Sequence, residues 1–541
     1  MEYGKNERSE GNARRKAIAV GRMEDEASEE TWGRIKRGIT ETAKEEIGYY
    51  EGRRAKKPWV TEAMLRKMEE RRKYKMKTGE YARAMYRRLN NELRRETQVA
   101  REKWLSSECE DIEELEKKKQ YDLMYRKVRN ITCEGRKAIG RLREIENKEG
   151  KIIYDDKAVK ERWREYVEEI YATREKPSSL NIEEEWETEC ENRGLSILKC
   201  EVEKVIKEMK EKKAAGVDEL PIEFFKCLSE EGLNEIVVLC NKIYNSGKWP
   251  EDFLKIIMIP IPKKADTKKC TEYRTISLIA HAAKILLRVL NRRLRRIMEE
   301  NTSEEQFGFR QGKGTRDAIA LLRIIGERYM ERGKGLSLCF VDLEKAFDRV
   351  DWRKLMDIMK EKKVDWKERR LIAELYLGQR ASVKVNENMT ESVELGRGVR
   401  QGCCLSPTLF NIYVEDMISK TLEESVEGIS IGGVKVSCIR FADDMVVLAE
   451  DTKSLQGLIT RLEEGMEAYD MRINVKKTKV MKINYEDNVI VKTKKGEIEN
   501  VQTYSYLGTL IAKEWKSMGE IKRRIGMAKE VFNKKKEIIM Q

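Results

Sequence analysis

One short stretch, residues 439–449 (IRFADDMVVLA), constrains the fold of this chain most strongly. Two adjacent carboxylates, Asp443 and Asp444, lie between an apolar lead-in and an unbroken apolar run, which is typical of a buried strand. A reversal at residues 442–444 would place both acids at the tip of a hairpin. Taken alone, the stretch fits a surface hairpin with an aspartate-rich turn. The alternative is a metal site, because buried like charges need compensating cations and carboxylate oxygens suit Mg²⁺.

A third carboxylate favours the metal site. The apolar run Leu336–Val341 is predicted to be a strand, and it leads directly into Asp342. If the two strands are neighbours, Asp342, Asp443 and Asp444 meet at one edge of a sheet. Two Mg²⁺ ions roughly 3.5–4 Å apart would keep these acids ionised and clamp an in-line phosphoryl displacement. One ion would activate an attacking hydroxyl, and the other would stabilise a leaving pyrophosphate.

The residue composition supports this chemistry and points to a nucleic-acid partner. The chain has one histidine, His281, so catalysis must rely on carboxylates, lysines or metal. Its 11 cysteines include no CxxC pair, which argues against zinc fingers and a disulfide framework. Lys and Arg number 111 against 97 Asp and Glu, a net charge of +14, which favours a polyanionic partner over a membrane. With no spanning apolar run and no signal peptide, we expect an intracellular protein of the nucleus or cytoplasm.

Charge and apolar spacing divide the chain into four segments. Residues 1–57 are polar and are expected to lack a packed core, and residues 58–195 are expected to form a basic helical region. Residues 196–511 are globular, with a core over 253–511, and residues 512–541 begin another charged helix. The spacing predicts helices over 198–209, 282–300, 348–360, 407–417 and 455–466, strands over 253–261 and 336–341, and a hairpin over 383–395. This mixed order indicates an α+β fold, a mainly antiparallel sheet backed by helices.

Several motifs, in order, resemble a known family over about residues 201–511. They are QFGFRQGKGTRDA (306–318), FVDLEKAFDRVDW (340–352), GVRQGCCLSPTLFNIY (398–413), FADD (441–444), INVKKTKVM (473–481) and YSYLGTLI (504–511). The chain resembles the reverse transcriptases of non-LTR (LINE-type) retrotransposons. The resemblance implies the fingers and palm of a right-hand polymerase, an RNA template, a DNA primer, dNTP substrates and two Mg²⁺ ions.

The resemblance assigns roles at the catalytic centre. Asp342 and Asp443 match the family's principal metal ligands, and Asp444 matches its adjacent acid. Phe347 matches a bulky ring that selects deoxynucleotides by colliding with a 2′-hydroxyl. Lys477 matches a lysine suspected as general acid for pyrophosphate, although a solvated lysine in a basic loop accounts for it nearly as well.

Further matches concern substrate binding. Gln401 and Gly402 match the residues beside the nascent base pair, where glycine permits close backbone approach. The finger residues that grip the triphosphate correspond to Lys263 or Lys264 together with Arg274. After this arginine the family usually has proline, whereas this chain has threonine at position 275. Arg310 is a candidate template or phosphate contact.

The segments around the polymerase motifs leave alternatives open. KKPWVTEAMLRKMEERRKYK (56–75) resembles the family's linker between endonuclease and polymerase. We therefore expect a fragment that lacks the endonuclease and most of the thumb. The leading hypothesis is an RNA-directed DNA polymerase. The alternatives are a catalytically idle RNA-binding remnant and an RNA-dependent RNA polymerase, in which Asp342 and Asp348 would be the spaced acids.

Overall fold

The computed structural model describes residues 27–48, 57–75, 77, 79–132, 144–172, 177, 179–180, 194–264, 267–422, 427–485 and 489–539. The chain divides into two compact units. The larger unit comprises Met1–Glu46 and Gly140–Gly526, and the smaller unit comprises Ile47–Ile139 and Met527–Gln541.

The helices of the described residues are α1 (Ser28–Glu46), α2 (Glu62–Lys75), α3 (Glu80–Lys117), α4 (Tyr121–Thr132), α5 (Asp156–Tyr171), α6 (Lys199–Glu208), α7 (Ile222–Lys226), α8 (Glu230–Ser246), α9 (Glu251–Leu254), α10 (His281–Glu300), α11 (Thr315–Glu331), α12 (Trp352–Glu361), α13 (Trp366–Leu377), α14 (Ser406–Leu422), α15 (Thr452–Ala468) and α16 (Met518–Ile539). Two short 3₁₀ turns lie at Cys270–Glu272 and Ala346–Arg349. No helix in these ranges is both long enough and apolar enough to cross a bilayer.

The strands are β1 (Ile145–Glu146), β2 (Ile152–Ile153), β3 (Lys255–Pro262), β4 (Tyr273–Leu278), β5 (Leu336–Val341), β6 (Arg380–Val385), β7 (Asn388–Met389), β8 (Val393–Glu394), β9 (Ile429–Ile431), β10 (Val434–Val436), β11 (Cys438–Phe441), β12 (Asp444–Ala449), β13 (Lys479–Ile483), β14 (Lys492–Thr493), β15 (Gly496–Glu497), β16 (Glu499–Asn500), β17 (Thr503–Tyr506) and β18 (Thr509–Ala512). Together with the helices they confirm the predicted α+β class.

The central sheet has the strand order β11-β12-β5-β13-β16 and is antiparallel except for the β13–β16 pair. Alternate residues of β5 enter two different apolar clusters: Leu338 and Phe340 on one face, Cys339 and Val341 on the other. Both faces are therefore covered, which explains why β5 is buried along its whole length. The β17–β18 hairpin covers part of one face, where Tyr504 stacks on Phe340 with ring centroids 4.3 Å apart.

A second sheet lies in the same unit, with the order β4-β3-β6-β7 and with β8 also paired to β6. The predicted strand over 253–261 is shifted, because Phe253 lies in the short helix α9 and the strand begins at Lys255. The predicted helix over 348–360 is also shorter. A 3₁₀ turn at Ala346–Arg349 comes first, and Asp351 then caps α12 by accepting a hydrogen bond from the Lys354 N–H at 2.9 Å.

The prediction that residues 1–57 lack a packed core is wrong for α1. Trp32 is 1% exposed, its Nε1 donates to Asp252 Oδ2 at 3.1 Å, and its ring meets Phe253 edge-on. Ile35 and Ile39, three and seven residues later, are also buried. A helix with so few apolar residues can still dock when all of them lie on one face.

Helix α5 corrects the predicted boundary at residue 195, because it packs within the larger unit. The helical spacing of its apolar residues predicts a packing face, and Trp163, Tyr166, Val167 and Tyr171 are indeed buried. The backbone carbonyl of Tyr171 accepts a hydrogen bond from the Gly396 N–H at 3.1 Å. Residues 156–171 therefore belong with the polymerase motifs and not with a linker.

The smaller unit agrees better with the prediction of long, charged helices. It contains α2, α3 and α4, in which the described buried side chains are Met64, Ala82, Leu89 and Leu93. Lys67 of α2 forms ion pairs with Glu92 and Glu96 of α3. Such exposed pairs contribute little to stability, so this unit depends on its few apolar contacts.

The buried carboxylate of Glu368 on α13 predicts a pH-dependent stability. It is 5% exposed, and burial raises its pKa from 4.5 to about 7, with Arg293 opposing the shift. At Glu368 the folded state therefore binds more protons than the unfolded state between these pH values, so the contribution of this group to stability is most favourable below pH 4.5 and falls as pH rises towards 7. We expect Glu368→Gln to stabilise the fold above pH 7 by at most about 3 kcal/mol and to have no effect near pH 4.

Thermal unfolding by calorimetry at both pH values checks this prediction. The matched control is Glu374→Gln, which changes an exposed carboxylate on the same helix and should show a much smaller dependence on pH. An equal shift of the Glu368 variant at pH 4 and pH 8 would contradict the prediction.

Candidate active site

Strand pairing brings the three predicted acids to one end of the central sheet. Met445 pairs with Val341, so Asp444 and Asp342, the next residues outward on these antiparallel strands, lie across from each other. Phe441 pairs with Asp444 in the β11–β12 hairpin, which leaves Ala442 and Asp443 as its tight turn. Neighbouring residues of this kind have Cβ atoms about 4.5–5.5 Å apart. The strand register therefore brings Asp342 to the tip of the aspartate hairpin, as the sequence predicts.

The charges at this end of the sheet are poorly compensated. Burial raises the pKa of Asp443, and the charge of Asp342 adds to the effect. The pKa of Asp444 rises to about 6, through burial first and then through Asp443 and Asp342. Lys477 opposes both shifts, and its Nζ lies 3.3 Å from Asp342 Oδ2. At Asp443 and Asp444, burial and mutual repulsion outweigh the nearby positive charges, which favours the binding of a further cation.

The carboxylate oxygens fit a hard divalent cation. Asp342 Oδ2 is buried and has no hydrogen-bond partner, although Lys477 is within ion-pair distance. In the described ranges, no three His, Cys, Asp or Glu side chains are already gathered closely enough to hold a metal. The backbone places the three acids together, and their side chains would have to converge further on binding. Oxygen donors of this type suit Mg²⁺ and similar ions.

The loop before β13 is attached directly to Asp342. The Asn474 N–H donates to the Asp342 carbonyl at 2.8 Å, and the Asp342 N–H donates to Thr478 Oγ1 at 3.2 Å. Thr478 is fully buried. These contacts place Lys477 beside the acids, as its motif predicts. Thr478 is not recognisable from the sequence, because its single contact with Asp342 has no local pattern.

A second group of residues holds the turn of the aspartate hairpin. Gln306 is 0% exposed, and its Oε1 accepts hydrogen bonds from the Ala442 N–H at 3.0 Å and the Gly308 N–H at 2.8 Å. Asn411 Nδ2 donates to the Gly308 carbonyl at 2.7 Å. Ala442 has φ 58, a strained value for a residue with a side chain. Gln306 therefore stabilises the backbone conformation that presents Asp443.

Arg310, a predicted template or phosphate contact from the same motif, makes several contacts within the protein. Its side chain is 7% exposed, and its Nε lies 3.0 Å from Glu299 Oε2. Its Nη1 donates to the Ser303 carbonyl at 2.7 Å. These internal contacts leave little of the guanidinium to meet a template. Within this motif, Gln306 and Gly308 contact the turn of the aspartate hairpin. The sequence analysis did not identify either residue.

Phe347 lies on the 3₁₀ turn that follows the Asp342 strand. Its ring stacks on Phe410 with centroids 4.2 Å apart and an angle of 12° between the planes, and Phe309 meets it edge-on at 6.3 Å. The Phe347 carbonyl also accepts the Val399 N–H at 2.8 Å. The half-buried ring is therefore held in one orientation, five residues after Asp342.

Gln401 and Gly402 lie against strand β4. The Gln401 carbonyl accepts the Ser277 N–H at 2.8 Å, and its Nε2 donates to Asp348 Oδ1 at 3.0 Å. Gly402 has φ 98, and a Cβ there would lie 3.2 Å from the Ser277 carbonyl oxygen and 3.3 Å from Ile276 Cγ2. Glycine is thus required both by the backbone conformation and by the close approach to β4.

Two of the three predicted finger cations face the acids. The pKa of Lys263 is lowered by burial, then by the charges of Lys477 and Arg274, while Asp348 and Asp342 oppose the shift. Arg274 in turn lowers the pKa of Asp443. Arg274 lies on β4, where it pairs with Ile261 of β3, and Lys263 directly follows the end of β3. Both residues reach the surface, although Lys263 is also partly desolvated. Lys264 is exposed, but nothing in the structure connects it with the carboxylates.

The sequence of the site region matches a known family. Residues 261–511 match the family described as reverse transcriptase (RNA-dependent DNA polymerase). The R2 retrotransposable-element Pol polyprotein of Nasonia vitripennis is 28% identical over 65% of this chain and 33% of its own length. The RNA-directed DNA polymerase of the mobile element jockey from Drosophila funebris is 29% identical over 51% of this chain and 31% of its own length. A Xenopus laevis transposon TX1 protein is 26% identical over 59% of this chain and 25% of its own length.

The chain thus spans about a third or less of the length of these relatives. Among solved structures, an apo telomerase from Candida tropicalis aligns over 49% of this chain and 54% of its own, with 12% identity and a TM-score of 0.36. That likeness is too distant to support an argument, so the assignment rests on sequence. Residues 261–511 thus match the reverse transcriptase family, and the chain is similar in sequence to polymerase proteins of non-LTR retrotransposons.

Proposed function

We propose that this chain is an RNA-directed DNA polymerase that extends a primer 3′-hydroxyl with dNTPs on an RNA template. The observation that carries the proposal is the pairing of Val341 with Met445, which brings Asp342 to the tip of the Asp443–Asp444 hairpin. This arrangement supplies carboxylate oxygens where a polymerase needs them. The net charge of +14 suits a nucleic-acid partner.

Two Mg²⁺ ions held by Asp342 and Asp443, with Asp444 beside them, would lower the pKa of the primer hydroxyl and stabilise the leaving pyrophosphate. The residues of the chain perform the remaining tasks. Lys263 and Arg274, whose charges act on the carboxylates, would bind the triphosphate. Lys477, whose Nζ lies 3.3 Å from Asp342 Oδ2, would give a proton to the pyrophosphate. These groups would align the reactants and neutralise developing charge.

The nucleotide is selected by rigid contacts. The stacked ring of Phe347 would exclude a 2′-hydroxyl, and Gly402 would allow the backbone to approach the nascent base pair closely. The β17–β18 hairpin covers part of one face of the central sheet. We propose that it supports the primer end. An RNA polymerase is less well supported, since Asp348 is buried and already accepts bonds from two side chains.

Primer extension by the purified chain tests the proposal. With an RNA template, a DNA primer, dNTPs and Mg²⁺, we expect templated incorporation that stops when the metal is chelated. Incorporation of rNTPs in preference to dNTPs would instead identify an RNA polymerase. RNA binding without any extension would identify a catalytically idle remnant.

Replacement of Phe347 by alanine tests the sugar selection separately. We expect the preference for dNTPs over rNTPs to fall by about tenfold to a hundredfold, because the Phe347 ring would exclude the 2′-hydroxyl of an rNTP sterically. The measurement is the ratio of kcat/KM values for the two nucleotide types. Phe309→Leu is the matched control, since this exposed ring touches Phe347 only edge-on. An unchanged ratio in the Phe347 variant would rule out its assigned role.

A further inference from the structure

A buried hydrogen-bond chain connects helix α5 to the nucleotide site. The hydroxyl of Tyr171, the last residue of α5, donates to Asp348 Oδ1 at 2.7 Å. The same oxygen accepts the Gln401 Nε2 at 3.0 Å. Tyr171 and Asp348 are 5% and 6% exposed. A buried carboxylate needs such donors, so both bonds are stronger than they would be in water.

Strand β4 lies beside this chain of contacts. Burial raises the pKa of the Tyr171 hydroxyl, the charge of Asp348 adds to the effect, and the side chain of Thr275 opposes it. Thr275 pairs with Pro260 of β3 and directly follows Arg274.

These contacts restrain the position of Gln401. Its carbonyl is fixed by the Ser277 N–H and its side-chain amide by Asp348, so backbone and side chain are both held. Asp348 can hold the amide in one place only if its own position is fixed. Tyr171 is the remaining side chain that donates a described hydrogen bond to the carboxylate.

We propose that Tyr171 is a positioning residue for the polymerase reaction, which acts through Asp348 to hold the Gln401 amide beside the incoming nucleotide. This inference rests on the proposed function. Tyr171 has no described contact with the three acids of the sheet edge and acts through Asp348 and Gln401, so its contribution is to nucleotide binding. Without the Tyr171 hydroxyl, the Asp348 carboxylate is less well fixed, and the Gln401 side chain can leave its productive rotamer.

The test is steady-state incorporation by Tyr171→Phe with varied dNTP concentration. We expect KM for dNTP to rise about tenfold while kcat changes less than about threefold, the pattern for lost binding through one hydrogen bond to a charged group. Tyr166→Phe is the matched control, because Tyr166 is buried on the same helix and contacts Trp163 through its ring. This control is expected to keep the wild-type KM.

A double-mutant cycle with Gln401→Leu shows whether Tyr171 acts through Gln401. In the Gln401→Leu background, Tyr171→Phe is expected to add no further increase in KM. Additive effects would overturn the inference, as would an unchanged KM in the single variant. A parallel decrease of kcat and thermal midpoint would also overturn it, by indicating a merely structural role. If the wild-type chain fails to extend a primer, the proposed function fails and this inference with it. If it extends normally and only the Tyr171 results disagree, this inference alone fails.

Discussion

Asp443→Asn is expected to reduce nucleotide incorporation by at least about a thousandfold, equivalent to about 4 kcal/mol of transition-state stabilisation. Asp443 is in the turn between β11 and β12, where the charge of Asp342 already acts on it. Asparagine has nearly the same shape but lacks the charge that would hold a metal ion. The measurement is primer extension on an RNA template in the presence of Mg²⁺.

The same substitution is expected to leave the fold intact. Asp443 is half-buried beside two like charges, so removal of its charge relieves repulsion and should not lower the thermal midpoint. RNA binding should also be retained, because it depends on the basic surface. Asp451→Asn is the matched control: Asp451 caps α15, and asparagine caps helices equally well. Normal incorporation by the Asp443 variant would refute the proposed function.

The elements of the active site that can be predicted are those with a local signal. Leu336–Val341 has the predicted bounds, because a mostly apolar run that ends at an acid is typical of a strand buried on both faces. The aspartate hairpin is equally accessible to prediction, since its turn and strands are contiguous. The sequence alone gives the adjacency of β5 and β12 only as a hypothesis. The structure shows that these two strands pair.

The residues that support these elements could not be predicted, because their contacts join distant parts of the chain. Gln306 meets Ala442 across 136 positions, and Tyr171 meets Asp348 across 177. Each contact is a single polar interaction without periodicity. The helical spacing of α5 predicts that Tyr171 is buried, but nothing in the sequence identifies Asp348 as its partner. Only the folded chain shows which of them has a partner in the site.

Highly charged segments resist prediction for a different reason. In α1, Trp32, Ile35 and Ile39 are separated by charged and polar residues, and average composition hides their spacing. Burial of three such side chains can stabilise docking by several kcal/mol, at about 1.5–3 kcal/mol each, which outweighs a polar composition. Position on one face, and not apolar content, decides whether this segment packs.

Gly308→Ala is expected to have the second large effect on activity. A Cβ at Gly308 would lie 2.3 Å from the Ala442 nitrogen and 2.9 Å from the Phe441 carbonyl carbon, both backbone atoms of the aspartate hairpin. Neither can rotate away as a side chain could, so the turn that carries Asp443 has to move. Displacement of a catalytic group by about 1 Å can cost about a hundredfold in rate. We therefore expect incorporation to fall by about a hundredfold or more.

Gly314→Ala provides the matched control in the same loop. Its Cβ would have only Asp317 Oδ2 nearby, at 3.7 Å, and its backbone is extended, so near-normal activity is expected. Overpacking at Gly308 should also lower stability by about 1–3 kcal/mol, and both variants must therefore be assayed well below their thermal midpoints. If a folded Gly308→Ala protein incorporates nucleotides at the wild-type rate, the hairpin turn is not held against Gly308 as the structure has it. Retained RNA binding with lost incorporation would locate the damage at the acids, where the displaced turn presents Asp443.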